Sequence, residues 1–309
     1  MHGVFYSVLP IFLIAFLGSI LRRKWLKSDE FWRGLEKLSY YILFPAVLFE
    51  HVSQIDLSSR ELYRLILALL ISTSIISVAL VFYQMRKGYD KVQFTSVFQG
   101  STRYNNYIFF ALGAALFGES GLTIVASVSP YMIIFTNITT VMAFAHYVPT
   151  ESTSSSSQNL YLMTKSVFTN PLIIASIFGI LCNLYQINLN EGIINTIKNI
   201  ADSALTIGIL IVGASLRFKI SSDHFQQIIF TSVVKLLAMP VVTFIVLWLM
   251  AITDNARAVG ILFSCLPCAS TSYIMSRQLG GDPETMSSII TFTTIFSIVT
   301  LSILVYILG

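Results

Sequence analysis

Residues 65–85 contain no Asp, Glu, Lys or Arg, and roughly 20 apolar residues in a helix cross the hydrocarbon of a bilayer. No other feature constrains the fold as strongly, because hydrocarbon cannot solvate backbone N–H and C=O groups and the segment must satisfy them itself as a helix. Comparable stretches at 1–21, 38–52, 92–117, 120–147, 166–185, 194–216, 225–250, 258–276 and 285–308 bring the expected count to ten helices. The stretch at 38–52 is the shortest and contains Pro45 and Glu50. With 55% hydrophobic and 11% charged residues in 309, the chain falls in the membrane class. The first stretch carries Arg22, Arg23 and Lys24 after it rather than before it, so it reads as a retained helix and not a cleaved signal peptide.

The net charge of +4 matters less than where the charges fall, since cytoplasmic connections retain Lys and Arg. The connections after the odd-numbered spans hold most of them, including Arg22, Arg86, Lys87, Lys165, Arg217 and Arg277. Those connections are therefore expected in the cytoplasm and both termini outside it. Serines 154–157 mark residues 148–165 as a flexible cytoplasmic linker near the midpoint. On either side of it, Pro171 and Gly179 repeat the spacing of Pro10 and Gly18, and Leu279-Gly280-Gly281-Asp282 resembles Leu116-Phe117-Gly118-Glu119. The expectation is two five-helix repeats, residues 1–147 and 166–309. Five is odd, so the second copy enters the membrane inverted, a recurrent design of secondary transporters.

Two spans are interrupted. Residues 101–107, Ser-Thr-Arg-Tyr-Asn-Asn-Tyr, break the fourth, and Pro267 breaks the ninth. Aligning the repeat ends places Tyr104 opposite Pro267 and Asn105 opposite Cys268. A proline strands the carbonyl four residues back, here that of Phe263, and irregular backbone at membrane depth is tolerated only inside protein or along a wet cavity. Ser264, Ser270, Thr271 and Ser272 can supply replacement bonds near Pro267, as can Asn105 and Asn106 near the first break. The half-helices after the breaks are expected to aim their N-terminal amides at the crossing.

Arg103 and Lys235 are the basic residues deep inside spans, Lys198 lying close to the start of the stretch 194–216. An intramembrane arginine faces a cavity or a partner and is a functional candidate by default. Arg103 is read as binding an anionic substrate, with an ion pair to Asp202 or escape to the surface as the bland alternatives. Lys235 reads slightly more readily as a surface or structural lysine, its long stem able to reach the cytoplasmic side, than as an anion contact. Asp202 is equally a proton carrier, since burial raises a carboxyl pKa, or a residue that caps or pairs within its helix. Trp25, Trp32 and Trp248 fit the membrane interface.

Other chemistry is poorly served. Cys265-Leu266-Pro267-Cys268 has redox spacing but lies in an apolar helix without a strand-helix context, so it reads as packing. Cys182 also lies in an apolar stretch, and no histidine pair has metal-ligand spacing. No H-E-x-x-H, G-x-S-x-G or phosphate-binding glycine loop is present. Neither enzyme activity, nor a metal or cofactor, nor nucleic-acid binding is expected.

Phe44-Pro45-Ala46, Arg103-Tyr104-Asn105-Asn106-Tyr107, Leu116-Phe117-Gly118, Asn170-Pro171-Leu172, Gly213-Ala214-Ser215-Leu216, Leu266-Pro267 and Gly280-Gly281-Asp282-Pro283-Glu284 run in order along nearly the whole chain. Together they resemble the auxin efflux carrier family in its short prokaryotic form. The resemblance implies an all-α polytopic membrane protein of ten transmembrane helices in two inverted repeats, with broken helices 4 and 9 crossing at the site. It further implies the fold of bile-acid symporters, with scaffold helices 1, 2, 6 and 7, transport helices 3–5 and 8–10, and a homodimer. By motif the site asparagine carries over to Asn105 or Asn106 and the crossover proline to Pro267. Where many members have glycine and proline after that asparagine, this chain has Phe109-Phe110-Ala111-Leu112, so side chains are expected to hold its first break.

The resulting expectation is a secondary transporter of a small organic anion in a bacterial inner membrane, working by alternating access. The substrate class implied by the resemblance is a mono- or dicarboxylate, malonate-like, malate-like or auxin-like. The expected site comprises Arg103, Asn105, Asn106, Ser264, Pro267, Ser270 and Thr271. A sodium-coupled symporter and a non-transporting membrane receptor of the same fold are the alternatives.

Overall fold

The computed structural model describes residues 2–55, 59–148, 169–217 and 224–308, and their regular structure is helical, with no strand among them. The elements are α1 (His2–Ile20), α2 (Asp29–Leu38), α3 (Phe44–Val52), α4 (Arg60–Lys87), α5 (Lys91–Thr102), α6 (Asn106–Tyr147), α7 (Pro171–Leu184), α8 (Glu191–Ser215), α9 (Phe225–Val233), α10 (Met239–Leu249), α11 (Asp254–Cys265), α12 (Ser272–Gln278) and α13 (Pro283–Leu308). Among the described residues, five helical stretches are long and apolar enough to cross a membrane: Arg60–Lys87, Lys91–Tyr147, Glu191–Ser215, Phe225–Leu249 and Pro283–Ile303. Beyond Val148, the linker expected at 148–165 lies outside the described residues.

Local chemistry explains the helix ends. Asn170 caps α7, its Oδ1 accepting from the Leu172 N–H at 3.0 Å, and Pro171 at the first helical position has no N–H to strand. Gly118 adopts φ 61° and ψ −151° inside α6. That left-handed conformation is cheap only without a Cβ, and it turns the chain at the point where the sequence ends its fourth span. Asp90 caps α5 by accepting from the Gln93 N–H at 2.9 Å.

Two prolines leave the same mark upstream. A π-helical turn, Ser39–Leu43, precedes Pro45, with the Phe44 N–H donating to the Ser39 carbonyl. Another, Val234–Ala238, precedes Pro240, with the Met239 N–H donating to the Val234 carbonyl. A proline ring crowds the carbonyl four residues back, and widening the preceding turn by one residue relieves that crowding while keeping the backbone bonded. The first turn also corrects the expected second span: α2 and α3 join through it, so the helix begins at Asp29 and not at residue 38. Trp32 on α2 is another correction. Its ring is buried and its Nε1 donates to the Leu26 carbonyl at 2.7 Å, whereas Trp25 and Trp248 are exposed.

The chain clusters into two compact units. The first comprises Met1–Leu62, Asn106–Pro130 and Ser166–Ser215. Within it α1 packs on α8, and α3 on α7 and α8. The approach of α1 to α8 depends on glycine: a Cβ on Gly213 would lie 1.6 Å from the Ala15 carbonyl oxygen, and one on Gly18 2.1 Å from that of Leu210. At the ends of the same helices, Arg22 donates to the Ala214 carbonyl at 3.1 Å and pairs with Asp29 at 2.7 Å, a cation at a helix C-terminus. Asn183 closes the end of α3 by donating to the carbonyls of Ser53 and Ile55.

The second unit comprises Tyr63–Asn105, Tyr131–Lys165 and Leu216–Gly309. Its α5 packs against α9 and α13, and α11 against α10 and α13. An apolar cluster of Ile228, Cys268, Met286, Ile289 and Ile290 forms part of its core. The glycine of α5 is matched to this packing, since a Cβ on Gly100 would meet Thr231 and Ile289 below 3.0 Å.

Candidate functional site

In the second unit, α5 ends at Thr102 and residues 103–105 are non-helical, while α11 ends at Cys265 and the chain stays irregular until α12 begins at Ser272. These are the two stretches that the sequence marks as interrupted. They touch: the Asn105 N–H donates to the Pro267 carbonyl at 3.0 Å. The bond gives the irregular backbone of one break a partner in the other, which is how such backbone survives at membrane depth. Tyr104 stays buried between them, its ring 4.4 Å from that of Phe263, the residue whose carbonyl Pro267 leaves without its helical donor. That carbonyl accepts instead from the Leu266 N–H at 3.3 Å.

Arg103 terminates α5 in an extended conformation, φ −77° and ψ 154°, and its buried guanidinium spreads over three partners. Nη1 donates to Asn137 Oδ1 at 3.0 Å and to the Met275 sulfur, and Nη2 donates to Thr271 Oγ1 at 3.1 Å. The planar fork of arginine suits this multiple attachment. It ties the first break to α12 and to the C-terminal part of α6. Asp202, the bland partner considered for Arg103, lies on the exposed side of α8 in the first unit.

The remaining expected residues fall in different elements. Asn105 belongs to the second unit and Asn106 opens α6 in the first. Asn106 Oδ1 is buried without a hydrogen-bond partner among the described residues. Ser264 is fully buried and gives its hydroxyl proton to the Ile261 carbonyl at 2.6 Å. Thr271 is exposed apart from its bond to Arg103, and Ser270 is half-buried. The expected cluster of free amides does not form at the second break: the N–H groups of Ser272, Tyr273 and Ile274 donate to the carbonyls of Ala269, Ser270 and Thr271.

Lys235 corrects an expectation. Its side chain is fully buried on the π-helical turn Val234–Ala238 and does not reach the surface. The extra residue of the turn, a consequence of Pro240, sets the side chain's direction, and charge counting along the sequence carries no such information.

Sequence reasoning passed over Gln99, Asn137, Ser276 and Thr293. Gln99 Nε2 donates to Ser276 Oγ at 2.7 Å, linking α5 to α12, and Thr293 Oγ1 accepts from the Cys268 N–H at 3.3 Å. The available signal was their polarity inside spans, weaker than a charge but of the same kind. Cys265 and Cys268 are free thiols, both buried, and Cys268 belongs to the apolar cluster of the unit.

The family model described as membrane transport protein matches residues 3–305. The chain belongs to this family, that of the auxin efflux carriers. As a member of the auxin efflux carrier family with long apolar helices it is an integral membrane protein. It is similar to an uncharacterized transporter of Methanothermobacter thermautotrophicus, 23% identical over 298 residues that cover 96% of this chain and 95% of that one. In this member of the family the motifs have local structural work: Asn170-Pro171 starts α7, Gly213 admits α1 against α8, and Asp282 starts α13 by accepting from the Glu284 and Thr285 N–H groups at 3.0 Å.

Proposed function

We propose that this auxin efflux carrier family member is a secondary transporter of a small organic anion, a mono- or dicarboxylate of the malonate, malate or auxin type, working by alternating access. The observation that carries the reading is the bond between Asn105 and Pro267, with the buried Arg103 beside it. Two broken backbones and a guanidinium inside apolar helices are costly to a protein that only spans a membrane. The substrate site in this reading comprises Arg103, Asn105, Asn106, Ser264, Pro267, Ser270 and Thr271. The chain crosses the membrane ten times in two inverted repeats, with both termini outside the cytoplasm. Support for the repeat comes from Gly18 and Gly179, equivalent by spacing, each of which lies against the backbone of another helix in the first unit. The unit composition supports a division of labour, since the first unit holds the first, second, sixth and seventh spans, together with Asn106–Pro130.

Proteoliposomes containing the purified protein test this reading with labelled malonate, malate and indole-3-acetate. Saturable flux of at least one, lost in Arg103→Ala and Asn106→Ala proteins that remain folded, is the expected result. Flux that persists when sodium is replaced by potassium separates the reading from a sodium-coupled symporter. Carboxylate binding without flux identifies a receptor instead.

A further inference from the structure

The π-helical turn Val234–Ala238 packs against α5, α11 and α13, the helices that carry or support the two breaks. Lys235 on this turn is fully buried, and its Nζ has no hydrogen-bond partner among the described residues. The ion pairs among those residues, Arg22 with Asp29 and His224 with Asp282, do not include it. An ammonium group in such a position is expensive unless a negative charge meets it. The titratable groups near it are Cys268 and Cys265, which flank Pro267. Arg103 is also near Cys268, so two cations reach the same short segment. On α5, which packs against the turn, Gln99 Oε1 and Ser101 Oγ are likewise buried without partners among the described residues. π-Helical turns occur frequently at functional sites, and here the turn directs a cation inward.

Arg103 and Lys235 therefore differ in kind. Both terminal nitrogens of Arg103 bond to Asn137, Met275 and Thr271, so its guanidinium fastens the protein's own parts together. We propose that Lys235 supplies the counter-charge for the carboxylate of the transported anion, while Arg103 holds the frame of the site. The inference rests on the organic-anion reading and assigns the anion's charge to one residue. A lysine retained only for structure would have a protein acceptor. A compact ammonium with three donors suits one end of a small carboxylate, and closure around that carboxylate would neutralise the buried charge.

The full-length protein in detergent, as wild type, Lys235→Met and Lys235→Arg, provides the test, with malonate, malate and acetate as probes and thermal unfolding as the readout. Lys235→Met is expected to melt at or above the wild-type temperature without anion, because an unmet buried charge has gone. The anion concentration giving half-maximal stabilisation should rise by about tenfold or more in Lys235→Met and by less in Lys235→Arg. Equal stabilisation of wild type and Lys235→Met overturns the proposal, as does the absence of stabilisation of the wild type by all three anions. Wild-type proteoliposomes that bind an anion yet move none overturn the transporter reading, and the melting comparison still decides the role of Lys235.

Discussion

The N–H of Asn105 donates to the carbonyl of Pro267 across a 3.0 Å bond between two interrupted helical segments. Neither residue satisfies that group within its own helix, so each break depends on the other for its backbone geometry. Restoring helix at one break should therefore disturb both. Pro267→Ala returns an N–H that can bond to the Phe263 carbonyl and lets α11 run on, a local gain set against loss of the break. The expected outcome is a folded protein with anion flux reduced about tenfold or more, a barrier change near 1.4 kcal/mol, measured in proteoliposomes.

Arg103→Lys tests whether the guanidinium acts by charge or by shape. Lysine keeps the charge but lacks the planar fork that reaches Asn137 and Thr271 together. Arg103→Lys should lose stability on the order of 1–3 kcal/mol, since the charge-assisted bonds to Asn137 and Thr271 cannot both be kept. A shift of the thermal midpoint in the same detergent reports it, and an unchanged midpoint would dismiss the bracing role of Arg103.

The packing of α1 on α8 predicts opposite signs for the same substitution at two glycines. Gly213→Ala places a Cβ against the Ala15 carbonyl and should destabilise by about 1–3 kcal/mol, as overpacking does. Gly34 lies inside α2 with nothing within 4 Å of a new Cβ. Gly34→Ala should stabilise by about 0.5–1 kcal/mol, the helix-propensity difference. Paired melting curves decide both.

Asp282 accepts from two N–H groups at the start of α13 and also faces His224 Nε2 at 3.9 Å. Asp282→Ala should cost about 1 kcal/mol through the lost cap. Asp282→Asn, which keeps the accepting oxygen, should recover most of that loss in the same unfolding assay.

The elements written in single residues or short runs were legible in the sequence. Pro267 and the polar run 101–107 marked both breaks, and the glycine after Phe117 marked the turn within α6. What escaped depends on chain segments far apart in number. Arg103 lies 34 residues from Asn137 and 172 from Met275, and no periodicity links such pairs. Trp32 escaped for another reason: its indole finds the Leu26 carbonyl close by in the chain, and interfacial preference, an average over many proteins, gave way to that one acceptor. Lys235 escaped because one added backbone residue per turn alters which way a side chain points, a change invisible to a pattern counted at 3.6 residues per turn.

The widened turn before Pro240 has a consequence for how this protein tolerates changes in length. A helix that holds one residue more than a regular winding needs can lose one and become regular, with the segments on either side keeping the faces they now present. Deleting a single residue within 234–238 would thus leave the span long and apolar, with the face of α9 that now meets α5 still turned towards it. Homologous chains that lack one residue here would differ in the side chains of the turn itself, Lys235 included, so this position absorbs a one-residue deletion that in a regular helix would rotate everything before it by about 100°.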